Sequence, residues 1–257
     1  MPTGAITAHI DVALVVLYLF WAFFAGLIYY LRREDQREGY EKEPLEGDFL
    51  SIVVPTVPQP KAYHLDGGKI KLAPDYVPDD REVKAVPVAT FEGAALEPTG
   101  NPLVDGVGPA AYAEREDVPE TNFEGKPKIQ PLRAIPSYFI AEGDDDPRGM
   151  VVISRDGVVV GTVKDAWVDI AEALIRYLEV DVDASIAPAR SVLVPINFTF
   201  INGYARSIGV PAINASQYKL VPGLAKRDVV TKLEEDKISA YFAGGAMYAD
   251  TASAAAG

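Results

Sequence analysis

The sequence predicts one N-terminal transmembrane α-helix joined to a mainly β cytoplasmic domain, a small barrel or sandwich with a C-terminal helix. Three observations carry that expectation. Val12 to Leu31 runs twenty residues without a charge, and six of the next seven residues are charged. Residues 41–136 hold most of the 20 prolines. From Tyr138 onward, short apolar runs alternate with turn signals.

The apolar run comes first. As a helix rising 1.5 Å per residue it spans roughly 30 Å, the thickness of a bilayer's hydrocarbon. Twelve of its twenty residues are Leu, Ile, Val or Phe, each favouring insertion by about 0.3 to 0.6 kcal/mol. A removable export signal needs a basic start and a shorter apolar core. No Lys or Arg occurs before Arg32, so the run reads as a permanent anchor. Arg32, Arg33 and Arg37 follow it, and the positive-inside rule then places residues 1–11 outside and the bulk of the chain in the cytoplasm. Tyr29 and Tyr30 fall at the cytoplasmic boundary, where amphipathic rings settle. Trp21 lies mid-span and faces either lipid or a partner helix. The mixed charges of "RREDQREG" extend the helix about two turns, until Gly39 stops it. That stretch reads equally as a headgroup anchor or as a docking segment.

Residues 32–136 read as an extended proline-rich segment. Prolines at this density block helices and central strands alike. Ile52-Val53-Val54 and Ile70-Lys71-Leu72 recur between turn signals as short strands. The Val, Leu, Tyr and Phe content is too high for disorder, so the segment is expected to be ordered by a surface it lies against, most reasonably another protein.

The β domain follows. "MVVISRDGVVVGTVKDAWVDI" reads as a hairpin turning at Arg155-Asp156-Gly157. "IRYLEVDV" and "SVLVPINFTFI" read as strands, and "GVPAINASQYKLV" as a weaker strand and turn. "LEEDKISAYFAGG" is the closing helix, ending at Gly244-Gly245.

Composition removes several functions. Net charge is −13, of which about −12 lies after the apolar run, whereas a nucleic-acid binder needs a basic face. There is no cysteine, which excludes disulfides and thiolate metal sites. His9 and His64 flank the anchor, and neither makes a shared metal site or a catalytic triad within one chain. No phosphate loop, dinucleotide fingerprint or metal-ligand spacing is present.

Acidic residues carry the remaining chemistry. In "TVKDAWVDIAE", period two places Asp165, Trp167 and Asp169 on one face, with Glu172 just after. Solvated, these carboxylates are ordinary surface acids. Partly buried, they oppose one another's ionisation and form a cluster able to hold and pass protons. Arg176 and Glu179 are near enough in sequence to tune it. "LEEDK" is a second acidic cluster, read as a solvated helix start.

Five blocks now stand in order: "FAGLIYYLRREDQREGY", "PTGNPLVDGVGPAAYAER", "AEGDDDPRGMVV", "DAWVDIAEALIRYLEV" and "LEEDKISAYFAGGAMYA". With these the chain resembles the H subunit of the photosynthetic reaction centre of purple bacteria. Residues 44–95 and the Ala-rich tail 247–257 lie outside the resemblance. The resemblance implies a PRC barrel over residues 137–246 and a non-enzymatic role. It implies a cap on the cytoplasmic side of the L and M subunits that stabilises the quinone region and conducts protons to the secondary quinone. It also implies a complex with light-harvesting antenna subunits, a cytochrome and membrane lipids in the bacterial inner photosynthetic membrane. By the same resemblance, bacteriochlorophyll, bacteriopheophytin, quinones and a non-haem iron are expected in the partner subunits and none of them on this chain. Carried over by position, Glu172, Asp169 and Asp165 match acids on the proton route and Arg176 a nearby basic residue. Some members carry a surface histidine pair where this chain has "ETNFEGKPKI". The proton entrance is therefore assigned to Glu120, Glu124 or other carboxylates, or lies elsewhere. Two other readings compete: a membrane-tethered barrel adaptor without photochemistry, and a single-span enzyme using the carboxylates as acid and base.

Overall fold

The computed structural model describes Gly4 and residues 11–38, 59–75, 79–91 and 93–254, with side chains up to residue 250. The chain divides into two compact units, residues 1–81 and 82–257.

In the first unit the anchor is a single helix, α1 (Val12–Asp35). Asp11 caps it by accepting the Leu14 N–H at 2.7 Å, and Arg32 and Arg33 occupy its last turn, where cations complement the helix dipole. None of its residues is buried. By length and composition it suffices to cross a membrane. A 3-10 turn, Gln36–Glu38, follows, so an α turn and a 3-10 turn extend the helical backbone about two turns beyond Leu31; the stop expected at Gly39 lies outside the described residues. The expected strand at Ile70-Lys71-Leu72 is present as β2 (Ile70–Ala73), paired antiparallel with β1 (Lys61–His64). Ile52-Val53-Val54 lies outside the described residues.

The second unit begins with a small hairpin, β3 (Ala85–Pro87) with β4 (Leu96–Pro98). A one-turn helix, α2 (Pro102–Asp105), follows, capped by Asn101. Then comes β5 (Ile129–Pro131), which joins the main sheet. That sheet is completed by β6 (Val151–Ser154), β7 (Val159–Asp169), β8 (Leu174–Val182), β9 (Ser191–Pro195), β10 (Phe200–Asn202) and β11 (Ser207–Val210). Its order is β10-β11-β6-β7-β8-β9, with β5 also on β7. The pairing is antiparallel except between β11 and β6. The hairpin turn at Arg155-Asp156-Gly157 is where the sequence puts it.

Three expectations are corrected here. The run "SVLVPINFTFI" is two strands, not one. Pro195 lacks an N–H to continue the ladder, and a 3-10 turn over Ile196–Phe198 separates β9 from β10. The closing helix α3 (Lys232–Ala254) does not stop at Gly244-Gly245. Those glycines are there for close packing. A Cβ at Gly244 would stand 2.5 Å from the Ala110 Cβ, and one at Gly245 2.3 Å from Ile213 Cγ2. Residues 247–254, expected as a tail, therefore belong to the helix. Finally, much of the proline-rich segment is ordered by its own chain. Leu103, Ile129 and Leu132 enter the same core as Trp167, Leu178 and Phe242. A fully buried side chain of this size stabilises by about 1.5–3 kcal/mol.

Candidate functional site

β7 is buried along its second half, from Asp165 to Asp169. One side is covered by β8 and the other by β5, which runs antiparallel to it with Ile129 opposite Asp169 and Pro131 opposite Trp167. Two carboxylates on a buried strand need cations within reach. The residues flanking β5 supply them: Lys128 at one end and Arg133 just past the other.

Arg133 serves the Asp165 end. Its backbone N–H and Nη1 donate to Asp165 Oδ2 at 3.1 and 3.0 Å. Nη1 also donates to Glu179 Oε2 at 2.5 Å, and Nη2 to Asp228 Oδ1 at 2.6 Å. Glu179 lies opposite Asp165 across the β7–β8 ladder and accepts the Trp167 indole N–H at 3.0 Å. The guanidinium sits 5.9 Å from the Trp167 ring centre. Burial works against the charge of Arg133, but the hydrogen bonds to Glu179 and Asp228 outweigh it, and its pKa rises. This group is a closed structural network.

Lys128 serves the other end. Its Nζ stands 3.3 Å from Asp169 Oδ2, 3.6 Å from Glu172 Oε1 and 3.8 Å from Glu120 Oε1. Asp169 has no exposed surface. Its Oδ1 accepts the N–H groups of Ala171 and Glu172, while the buried Oδ2 has no hydrogen bond. Arg176 Nε approaches that oxygen to 3.9 Å. A bulge puts Arg176 there: Trp167 pairs with Tyr177 and Val168 with Ile175, leaving Arg176 unpaired in the ladder. Contact with Asp169 raises the Lys128 pKa against the effect of burial, with Glu120 and Glu172 adding to it. Glu172 and Glu120 are half exposed, so the cluster runs from solvent to a buried carboxylate.

The sequence-expected residues thus separate. Asp169, Glu172 and Glu120 converge on Lys128, and Arg176 approaches Asp169. Asp165 does not join them, because it faces Arg133 and Glu179. Glu124 pairs with Lys126 at 2.9 Å, on the surface turn that carries the exposed Phe123. The "LEEDK" acids are not simply solvated. Glu234 is buried and makes a capping box with Thr231, and Glu235 accepts the Tyr177 hydroxyl at 3.0 Å. On the anchor, Trp21, Tyr29, Tyr30, Arg32 and Arg33 are exposed, with Trp21 edge-on to Phe20 and Phe24. Arg37 instead folds onto Glu34 and the Gln59 carbonyl.

A family model for the photosynthetic reaction centre H-chain N-terminal region matches residues 4–134, just over half of the chain. The chain belongs to that H-chain family. A PRC-barrel domain model matches residues 140–217, which include β6 to β11. This H chain is therefore a structural, non-pigment subunit of a photochemical complex. Its family associates with L and M subunits in a bacterial photosynthetic membrane, to which the apolar helix anchors it. Among the described residues no group of side chains is arranged to hold a metal.

Lys128 and Arg133 are the residues of these two clusters that sequence reasoning missed. Both lie in the H-chain region, while the buried acids they serve, Asp165, Asp169 and Glu179, lie in the barrel region. The available signal was the excess of acid on "DAWVDIAEALIRYLEV", which demands cations from elsewhere in the chain.

Proposed function

We propose that this chain caps the L and M subunits on the cytoplasmic side, with its N-terminus periplasmic, and passes protons through the Lys128 cluster toward the secondary quinone. Pigments, quinones and iron belong to the L and M subunits in this reading. The positive flank Arg32, Arg33 and Arg37 after α1 supports the orientation.

The observation that carries the relay is the Asp169 carboxylate. It is fully buried, one oxygen has no hydrogen bond, and that oxygen faces an ammonium shared with two half-exposed carboxylates. Three carboxylates around Lys128 and Arg176 leave the cluster net negative, so an arriving proton reduces buried charge instead of creating it. Glu120 and Glu172 collect protons at the surface, and Asp169 carries them inward. A quinone that accepts two electrons takes up two protons, and a buried quinone anion is costly. Delivery must therefore keep pace with the electrons.

The test is Glu172→Gln in isolated complexes, with light-driven proton uptake followed by a pH-sensitive dye. Uptake is expected to slow. A rate equal to that of the parent complex removes Glu172 from the relay.

A further inference from the structure

A cleft of about 260 Å³ opens between β8, the turn after β9 and the first turns of α3. Its wall includes Tyr177, Arg176, Arg115, Asn197, Glu235 and Ser239. Glu235 accepts the Tyr177 hydroxyl through Oε2 and, among the described residues, has no ion pair. Arg115, which lines the same cleft, is held by Asp236 at 3.2 Å. The charged and titratable groups around Glu235 are Tyr177 and Arg176 from β8, Arg115 and Glu120 from the segment before β5, and Asp236 from its own helix. Burial raises the pKa of Glu235. The Tyr177 hydrogen bond opposes this, and the charge of Glu120 adds to it. Arg176 has a double position: it lines this cleft and approaches the buried Asp169 oxygen to 3.9 Å.

We propose that the cleft is a second, water-lined entrance to the Asp169 cluster, with Glu235 as its proton-holding group and Tyr177 as the residue that positions it. The inference rests on the relay reading above. The cleft has room for several waters, since each takes about 30 Å³ in the liquid, and its hydroxyl, amide and guanidinium groups give them partners. The proton leaves the Glu235 carboxyl, passes along these waters beside Arg176 and is taken up by Asp169. The Glu235 carboxylate is then reprotonated from bulk solvent. Oε2 stays committed to Tyr177, so Oε1 carries the proton.

The test uses the intact complex carrying Glu235→Gln, Tyr177→Phe or Glu172→Gln. Proton uptake is measured across pH, and the carbonyl stretch of protonated carboxyls is read by infrared difference spectroscopy. Glu235→Gln is expected to slow uptake several-fold toward alkaline pH and to remove one carboxyl band, a band that Tyr177→Phe shifts. Parental uptake in Glu235→Gln, or the absence of a band sensitive to it, overturns the proposal. Slowing by Glu172→Gln alone sinks the cleft and leaves the relay standing. Parental rates in both variants sink the relay itself.

Discussion

Replacing Arg133 by Met leaves two carboxylates facing each other on adjacent buried strands. Asp165 is 4% and Glu179 6% exposed, and they are register partners in the β7–β8 ladder. Removing one partner of a buried ion pair costs about 3–5 kcal/mol, because the remaining charge stays buried. Two features favour the lower end. The Arg133 side chain is 28% exposed, and Lys164 Nζ remains 3.3 Å from Glu179 Oε1. A loss of about 3 kcal/mol corresponds to a drop in Tm of about 6–12 °C for a unit of this size. The full chain has two tryptophans. In a Trp21→Phe background in detergent, Trp167 alone reports, and its indole is bonded to Glu179 inside the network. Arg133→Met is expected to melt early and to shift Trp167 emission. Arg133→Lys keeps the charge without the planar fork and should fall between. Adding Glu179→Gln to Arg133→Met should recover part of the loss, because one uncompensated charge is gone. A melt within about 1 °C of the parent, with unchanged emission, refutes the idea that this network ties β5 to the barrel.

Two further outcomes follow from the geometry. Gly245→Ala forces a Cβ to 2.3 Å from Ile213 Cγ2 and 2.6 Å from the Ala212 carbonyl oxygen. It should cost about 1–3 kcal/mol in denaturant unfolding, while Gly223→Ala, with open space around it, should cost far less. Glu235 titrates above its ordinary value of 4.5 in the folded chain. The native state therefore holds the proton more tightly than the unfolded state, and stability falls as pH rises from 4.5 through the folded pKa. Glu235→Gln should raise the melting temperature at about pH 8 and leave it unchanged at about pH 4, as read by calorimetry.

The elements legible in the sequence are those whose signal is local. Twenty uncharged residues from Val12 allow one structure in lipid, and Arg155-Asp156-Gly157 turns a hairpin by its own backbone preferences. What was illegible depends on residues far apart in the chain. Gly244-Gly245 looks like a helix stop until Ala110 and Ile213 are seen against it. Pro195 sits in an apolar run whose alternation hides the break. Period two grouped Asp165, Trp167 and Asp169, and the structure gives the two acids separate partners, Arg133 for Asp165 and Lys128 for Asp169. Periodicity could not show that β5 would bring a different cation to each end. Arg176 was legible as a nearby basic residue, but its approach to Asp169 depends on a bulge that is set by how β8 pairs with β7.

The distribution of charge explains why the two halves of the folded unit belong together. The barrel strands contribute Asp165, Asp169 and Glu179, three acids with almost no exposed surface. Lys164 and Arg176 come from the same strands, but of these three acids Lys164 contacts Glu179 alone, at 3.3 Å, and is shared with Asp181, while Arg176 stops 3.9 Å from Asp169. The close partners come from residues 128–133, upstream of the barrel, and β5 between them also supplies ladder bonds to β7 and buries Ile129 against the core. A barrel without that strap would keep buried carboxylates lacking their nearest cations, a state that breaks more stability than an apolar core would. The same strap sets the difference between the two clusters. At Arg133 a planar fork satisfies Asp165, Glu179 and Asp228 and closes the site. At Lys128 a single ammonium stands 3.3–3.8 Å from three carboxylates and leaves one buried oxygen open. A guanidinium bonded to three carboxylates holds the fold, whereas an ammonium that bonds none of its three closely leaves the opening on which the proposed relay rests.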